Sequence, residues 1–300
     1  MREIDWIRRY IAPLVDDEEA DRLKDDAAML TLNGTFALST DMLVEGQHFL
    51  AGDPLETVGR KLVRVTVSDL IAKGALPSRA MVSIAWPKNR GEADFAALIS
   101  GLGADLAYFG MALVGGDTVS TDGPLCLNLA GLGRAAGACL VRRRGARPGD
   151  QLLVSGVIGA AGLGLAALKR GMETVHAAHY RVPNLVPVSM AHWISDHASA
   201  SLDVSDGLLL DAARLAEVSD VALEIDLNAV PLAEPSSRLE EVLVQCTAGD
   251  DYQMLMTVPE GCEAPGLTPI GRVSSGSGLS LCFNGRNIPL PSRLGFEHGE

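Results

Sequence analysis

Apolar residues recur at helical spacing in several stretches of the chain. Ile4, Ile7, Ile11, Leu14 and Val15 predict a helix over residues 4–23, with Pro13 as a break. Leu55, Val58, Leu62, Val65 and Leu70 would bury one face of a helix over 54–73. A third amphipathic helix is expected over 92–110, and shorter ones over 188–195, 208–218 and 237–244. Runs rich in β-branched or alternating residues predict strands over 79–86, 125–132, 151–155, 222–227 and 254–258. Asn33-Gly34 between 27–32 and 35–40 predicts a hairpin. Residues 156–171 are rich in glycine and then helical. Residues 172–187, with His176, His179, Pro183 and Pro187, predict a surface loop.

Composition shifts at Arg142-Arg143-Arg144 and the Gly145-Ala-Arg-Pro-Gly turn, which places a domain boundary near residue 137. Two units result, 1–137 and 138–300, each an α/β (α+β) unit of mixed topology. Hydrophobic residues make up 47% of the chain, enough for a substantial core, while a net charge of −13 argues against a nucleic-acid partner. Five cysteines show neither CxxC nor zinc spacing and read as reduced thiols of a cytoplasmic protein. The amino terminus lacks an apolar signal region, and no stretch reaches the length of a membrane span.

Candidate chemistry lies in the carboxylates. Asp25-Asp26, Ser39-Thr40-Asp41, Asp69, Gly116-Asp117, Asp203-Val-Ser205-Asp206 and Asp250-Asp251 fall at predicted ends of elements, mostly beside Gly, Ser or Thr. Clustered carboxylates repel unless cations neutralise them. Oxygen donors without Cys or His at ligand spacing favour Mg²⁺ over zinc. An acidic chain then binds polyphosphates through divalent ions. Period-two alternation would put Asp203 and Ser205 on one side, with free N–H groups at Asp206-Gly207 where a helix begins. The competing reading of that stretch is an ordinary helix cap. Each of the other acidic sites, taken singly, also reads as a solvated turn. The triple-Arg turn reads equally as a solvated face or a phosphate contact. Gly162-Leu-Gly-Leu is a loose dinucleotide-like match better explained by helix–strand packing, and no Walker motif is present.

Taken together, Asp25-Asp-Ala-Ala, Ser39-Thr-Asp-Met-Leu-Val-Glu-Gly-Gln-His48, Val67-Ser-Asp-Leu-Ile-Ala-Lys-Gly-Ala75, Gly115-Gly-Asp-Thr118, Asp203-Val-Ser-Asp-Gly207 and Gly249-Asp-Asp-Tyr252 resemble the thiamine-monophosphate kinases. They stand in that family's order across nearly the whole chain. The resemblance implies the two-domain aminoimidazole ribonucleotide synthetase-like fold, with an N-terminal mixed sheet and helices that dimerise and a C-terminal α/β domain. It implies ATP-dependent phosphorylation of thiamine monophosphate to the diphosphate by a homodimer, with several Mg²⁺ ions per site. By the same resemblance, Asp26, Ser39, Thr40, Asp41, Asp69, Asp117, Asp203 and Asp206 are magnesium ligands. Gly116, Asp117, Arg143 and Ser205 contact ATP, and His48, Asp250 and Phe296 hold the thiamine phosphate. No residue is expected to act as a general base. The sequence departs from the family at Arg22-Leu-Lys24 before the Asp pair, at Thr66 for a frequent Asn, at Asp250 for Glu, and at Phe296 for a frequent Trp.

Three other functions compete: another ATP-dependent enzyme of the same superfamily, a nonenzymatic nucleotide- or thiamine-phosphate-binding module, and a metal-dependent phosphohydrolase. A selenophosphate synthetase is disfavoured because no cysteine precedes Cys126, and the hydrogenase-maturation relative because the chain ends Glu297-His-Gly-Glu300.

Overall fold

The computed structural model describes residues 3–15, 20, 23 and 27–297. Two compact units divide the chain: Met1–Ile71 with Ala75–Ala135, and Ala72–Gly74 with Ala136–Glu300.

The first unit opens with a short helix, α1 (Glu3–Trp6), which continues as a π turn at Ile7–Ile11 and a 3₁₀ turn at Ala12–Leu14. The expected helix over 4–23 therefore ends early. Pro13 removes an N–H from the ladder, and Val15 is already extended at φ −92, ψ 100. Further on come β1 (Phe36–Val44), α2 (Leu55–Ala72), β2 (Ala75–Pro87), α3 (Glu92–Phe109), β3 (Ala112–Thr121) and β4 (Cys126–Ala135). Trp6 packs on Phe95 and Trp86, with ring centroids 5.2 and 6.3 Å away. Tyr10 and Arg9 both donate to Glu92, which ties the amino-terminal turns to α3.

The four strands form one sheet in the order β1-β4-β2-β3. β4 is antiparallel to β1 and β2, and β2 is parallel to β3. The expected hairpin is not formed: residues 27–32 hold no strand, and β1 pairs with β4 from Phe36↔Arg134 to Val44↔Cys126. A long ladder with a distant strand outweighs the local turn preference of Asn33-Gly34. Helix α2 lies against the inner face of the sheet. Gly131 and Gly133 of β4 make room for it, since a Cβ on Gly131 would approach Thr66 Cγ2 to 2.6 Å. Gly59 and Gly101 let α2 and α3 meet backbone to backbone, because a Cβ at either would collide with a carbonyl of the other helix.

The second unit contains β5 (Gln151–Ser155), α4 (Ala160–Leu168), α5 (Val175–Arg181), α6 (Met190–His197), β6 (Ala200–Val204) and α7 (Leu208–Ser219). After these come β7 (Ala222–Asp226), α8 (Leu239–Cys246), β8 (Gln253–Val258), β9 (Leu267–Ser274), β10 (Gly278–Phe283) and β11 (Arg286–Ile288). A seven-stranded sheet runs in the order β11-β10-β7-β9-β5-β8-β6. Its core includes Leu202, Val204, Leu208, Leu215 and Ile270. The expected loop over 172–187 contains helix α5, capped by the Thr174 hydroxyl accepting from the Ala177 N–H. Gly164 sits flush under α5, where a Cβ would strike the His176 carbonyl. β5 pairs antiparallel with both β8 and β9. Gly159 and Gly164 thus serve contacts of α4 with α8 and α5, helix against helix and not the expected helix against strand, with no parallel crossover unit around them. Among the described residues no helix is long and apolar enough to cross a membrane. All five cysteines are free.

Candidate functional site

In the first unit, the pleat of β1 decides where the expected ligands go. Ser39, Asp41 and Leu43 are turned inward, while Leu38, Thr40 and Met42 are exposed on the other face. Three consecutive candidate ligands are thereby split. Asp41 lies in mid-strand, beyond the predicted strand end at residue 40, because its ladder with β4 continues to Val44. On the inner face the Ser39 hydroxyl donates to Asp69 Oδ2 of α2. Asp41 Oδ2 is buried and has no hydrogen-bond partner. Burial and the nearby Asp69 charge push the Asp41 carboxyl up to about 6, with the Thr66 hydroxyl pulling the other way.

On the outer face Asn128 donates to Thr40 Oγ1 at 2.7 Å and to the Asp41 carbonyl at 3.1 Å. Asp117 belongs to this face as well, opposite Ser83 of β2, and is exposed. It too sits within a strand and not at an end. Gly116 beside it admits no Cβ, which would collide with the Val82 carbonyl. A cavity of about 240 Å³ is lined by Ile7, Ile11, Ala27, Gly116 and Asp117, among others. Asp25 and Asp26 lie outside the described residues.

His48 closes a turn that follows β1. Its Nδ1 accepts the Val44 N–H at 3.1 Å, and its own N–H donates to the Val44 carbonyl at 3.0 Å. An accepting Nδ1 leaves Nε2 to carry the ring proton of the neutral imidazole.

In the second unit, β6 ends at Val204, and Asp203 is a buried residue of that strand. The Ser205 and Asp206 N–H groups both donate to Asp211 Oδ2, at 3.1 and 3.0 Å. Of the two N–H groups expected to be open to an anion, at Asp206 and Gly207, that of Asp206 is thus taken internally by a carboxylate one turn into α7. Helix α7 starts from Gly207 with no side-chain cap, so neither Ser205 nor Asp206 serves as a cap. Arg214 binds Asp206 Oδ2 and reaches Asp211 Oδ1 at 3.1 Å. Burial is the main influence on the Asp211 carboxyl and pushes it up to about 6.

Two other segments close on this turn. Asp250 donates its N–H to the Ser205 carbonyl, and Tyr252 donates its own to Val204, both at 2.8 Å. Asp250 and Tyr252 hold φ 69 and 51, in the left-handed region that most residues avoid. The Tyr252 hydroxyl donates to Asp250 Oδ1 at 3.0 Å. Phe296 donates its N–H to the Asp206 carbonyl at 2.8 Å and exposes 43% of its surface. Thus Asp203, Ser205, Asp206, Asp250 and Phe296 form one neighbourhood, while Arg143 is exposed on the segment leading to β5.

Asp251 has a different task. It is fully buried and accepts the Gly159 and Ala161 N–H groups at 2.6 and 3.1 Å, satisfying the start of α4. Burial pushes its carboxyl up to about 7 against the pull of these bonds. Gln253 braces the same loop. Its Nε2 donates to the Asn184 and Asp251 carbonyls at 3.0 and 3.2 Å, and its Oε1 accepts from the Ser155 hydroxyl. Gln253→Glu would set a carboxylate oxygen against two carbonyls. It is expected to cost about 2 kcal/mol, the order of an unsatisfied buried polar group, read from the denaturant midpoint. An unchanged midpoint contradicts the bracing role.

Sequence reasoning missed Asp211, Arg214 and the capping role of Asp251. Asp211 was marked only by an acid in an otherwise apolar first helical turn, with Arg214 three residues on. Among the described residues, no three His, Cys, Asp or Glu side chains stand close enough to hold one metal ion. The pair that does meet, Asp41 and Asp69 with the Ser39 hydroxyl, offers hard oxygens, mutual repulsion and an unpartnered oxygen, which suits Mg²⁺.

The AIR synthase related protein family matches this chain twice, its N-terminal domain at residues 24–135 and its C-terminal domain at 147–281. A thiamine-monophosphate kinase of Caulobacter vibrioides is 36% identical, covering 99% of this chain and 91% of that protein. The chain belongs to the thiamine-monophosphate kinase family. A solved thiamine-monophosphate kinase of Stenotrophomonas maltophilia shares its fold at a TM-score of 0.80 and 29% identity, covering 95% of this chain and 96% of the other. A structure of AaThiL complexed with AMPPCP and TMP matches at 0.79 and 28%, covering 98% of each chain. The two-domain α/β architecture is thus that of the thiamine-monophosphate kinases.

Proposed function

We infer that this kinase transfers the terminal phosphoryl group of ATP to a phosphate oxygen of thiamine monophosphate, forming thiamine diphosphate and ADP. What supports the reading is the near full-length relationship together with the Asp41–Asp69 pair and the buried, unpartnered Oδ2 of Asp41. The acceptor is already an anion, so a strong base is not needed. The chain must hold two anions in line and offset the charge of the transferring group. Bound Mg²⁺ would supply that positive charge.

Within this proposal Asp41 and Asp69, with Ser39, are the inner metal ligands. Asp26, Thr40, Asp117, Asp203 and Asp206 would be further ligands, Asp206 being the one paired with Arg214. Gly116, Asp117, Arg143 and Ser205 contact ATP. His48, Asp250 and Phe296 hold the acceptor, with His48 Nε2–H donating to its phosphate. The proposal places the reaction in the cytoplasm, in keeping with five free thiols.

A coupled ADP-release assay with Mg²⁺, run with thiamine monophosphate, thiamine and aminoimidazole precursors as acceptors, tests the reading. ADP release only with thiamine monophosphate, matched by thiamine diphosphate, is expected. Inorganic phosphate released without an acceptor would indicate a phosphohydrolase, and binding without turnover a nonenzymatic module.

The active form is proposed to be a homodimer joined through the outer face of the first sheet. Leu38, Met42, Met81 and Val119 on that face are 75, 58, 47 and 50% exposed. Leu38→Glu combined with Met42→Glu is expected to shift sedimentation from dimer to monomer. A dimer that persists contradicts this interface.

A further inference from the structure

We infer that Lys61 is a positioning residue for the acceptor phosphate, its ammonium holding the His48 turn in the orientation in which the imidazole meets thiamine monophosphate. The inference rests on the role of His48 proposed above and adds a residue that no sequence motif singled out.

Lys61 lies in the first half of α2 and is 1% exposed, among the largest fully buried side chains of the described residues. An ammonium in such a place is costly unless its protons are used. Its Nζ donates to the His48 carbonyl at 3.0 Å. That carbonyl belongs to a tightly cross-braced turn. Gly46 takes φ +84 and donates to the Phe49 carbonyl at 2.8 Å, and Val44 exchanges two bonds with His48. The ring is held at Nδ1 by the Val44 N–H, and the backbone that carries it is held at its carbonyl by Lys61. Together these contacts limit where Nε2 can point.

The same helix carries Asp69, eight residues further on and about 12 Å along the axis. One rigid element therefore bears both the acceptor's anchor and a proposed metal ligand. A small slip of the His48 turn would misalign the acceptor oxygen with the phosphoryl group it attacks. The ordinary alternative is that Lys61 only satisfies a buried carbonyl. In that case an apolar side chain of equal length would leave substrate affinity alone.

The test uses the full chain with Mg²⁺ and ATP, comparing Lys61→Met, His48→Ala and the double variant. Lys61→Met is expected to raise KM for thiamine monophosphate about tenfold while KM for ATP stays within about twofold. In the double variant, Lys61→Met should add less than about twofold to His48→Ala, because both act through one imidazole. The ¹⁵N resonances of the His48 ring in Lys61→Met should shift, which reads the displacement without turnover. An unchanged KM for thiamine monophosphate, equal rises in both KM values, or multiplying effects in the double variant would overturn the role of Lys61. If His48→Ala raises KM while Lys61→Met does not, the reading of the site survives and this inference fails. If His48→Ala itself leaves KM unmoved, both fail.

Discussion

Asp41→Asn is expected to lower kcat on the order of a thousandfold while leaving the protein folded and no less stable. The two halves of that expectation share one cause. Burial and the Asp69 charge raise the Asp41 carboxyl from 3.8 to about 6. A carboxyl held higher in the folded than in the unfolded chain favours folding when protonated. Its contribution is fully present below about 3.8 and is lost as pH rises to about 6. At pH 7 the metal-free protein therefore carries an unrelieved repulsion between Asp41 and Asp69, which an amide removes. The metal-free variant should match or exceed the parent in thermal midpoint at pH 7, and the difference should shrink as pH falls towards 4. A residue whose loss stabilises the fold and stops turnover is one kept for function. Normal turnover at saturating Mg²⁺ would contradict the ligand role.

Asp251→Ala is the substitution expected to cost most in stability. It strands the Gly159 and Ala161 N–H groups in a fully buried setting at the start of α4. Losing a charge-assisted cap of two bonds is expected to cost about 3 kcal/mol. The denaturant midpoint of the full chain checks it, and a midpoint equal to the parent's contradicts it. Asp250, one residue away, shows the opposite profile. It holds φ 69 beside the Ser205 turn, and its carboxylate receives the Tyr252 hydroxyl. Adjacent aspartates thus separate into a structural one and a proposed substrate contact.

Periodicity made most of the architecture legible. Strand 151–155 and the helices beginning near 54, 92 and 208 stand where their apolar spacing puts them, because those elements bury one face or both against a core. Residues 27–32 were misread because Asn33-Gly34 is a local signal, whereas β1 found its partner in β4, some ninety residues away. Helix α5 was hidden by the prolines at 183 and 187, although Thr174 with Ala177 three residues on was a readable cap.

The candidate site was legible as a set of residues and illegible as geometry. The alternation of β1 was sufficient to separate Thr40 from Ser39 and Asp41, once the strand was known to run through them. The grip of Asp211 on the Ser205 and Asp206 N–H groups was not readable. It depends on the turn made by Gly207 at φ 122, where a carboxylate four residues on folds back over the backbone. Lys61 was unreadable for a similar reason, since its partner is a main-chain carbonyl thirteen residues away.

The central claim is that Asp41 and Asp69 bind the divalent cation that accompanies ATP. Titration of Mn²⁺, followed by electron paramagnetic resonance in the presence of a nonhydrolysable ATP analogue, tests it directly in the parent and in Asp41→Asn. The account predicts at least about tenfold weaker Mn²⁺ binding in the variant, the usual scale for losing a charged ligand. Equal affinity and equal stoichiometry in the two proteins would contradict it.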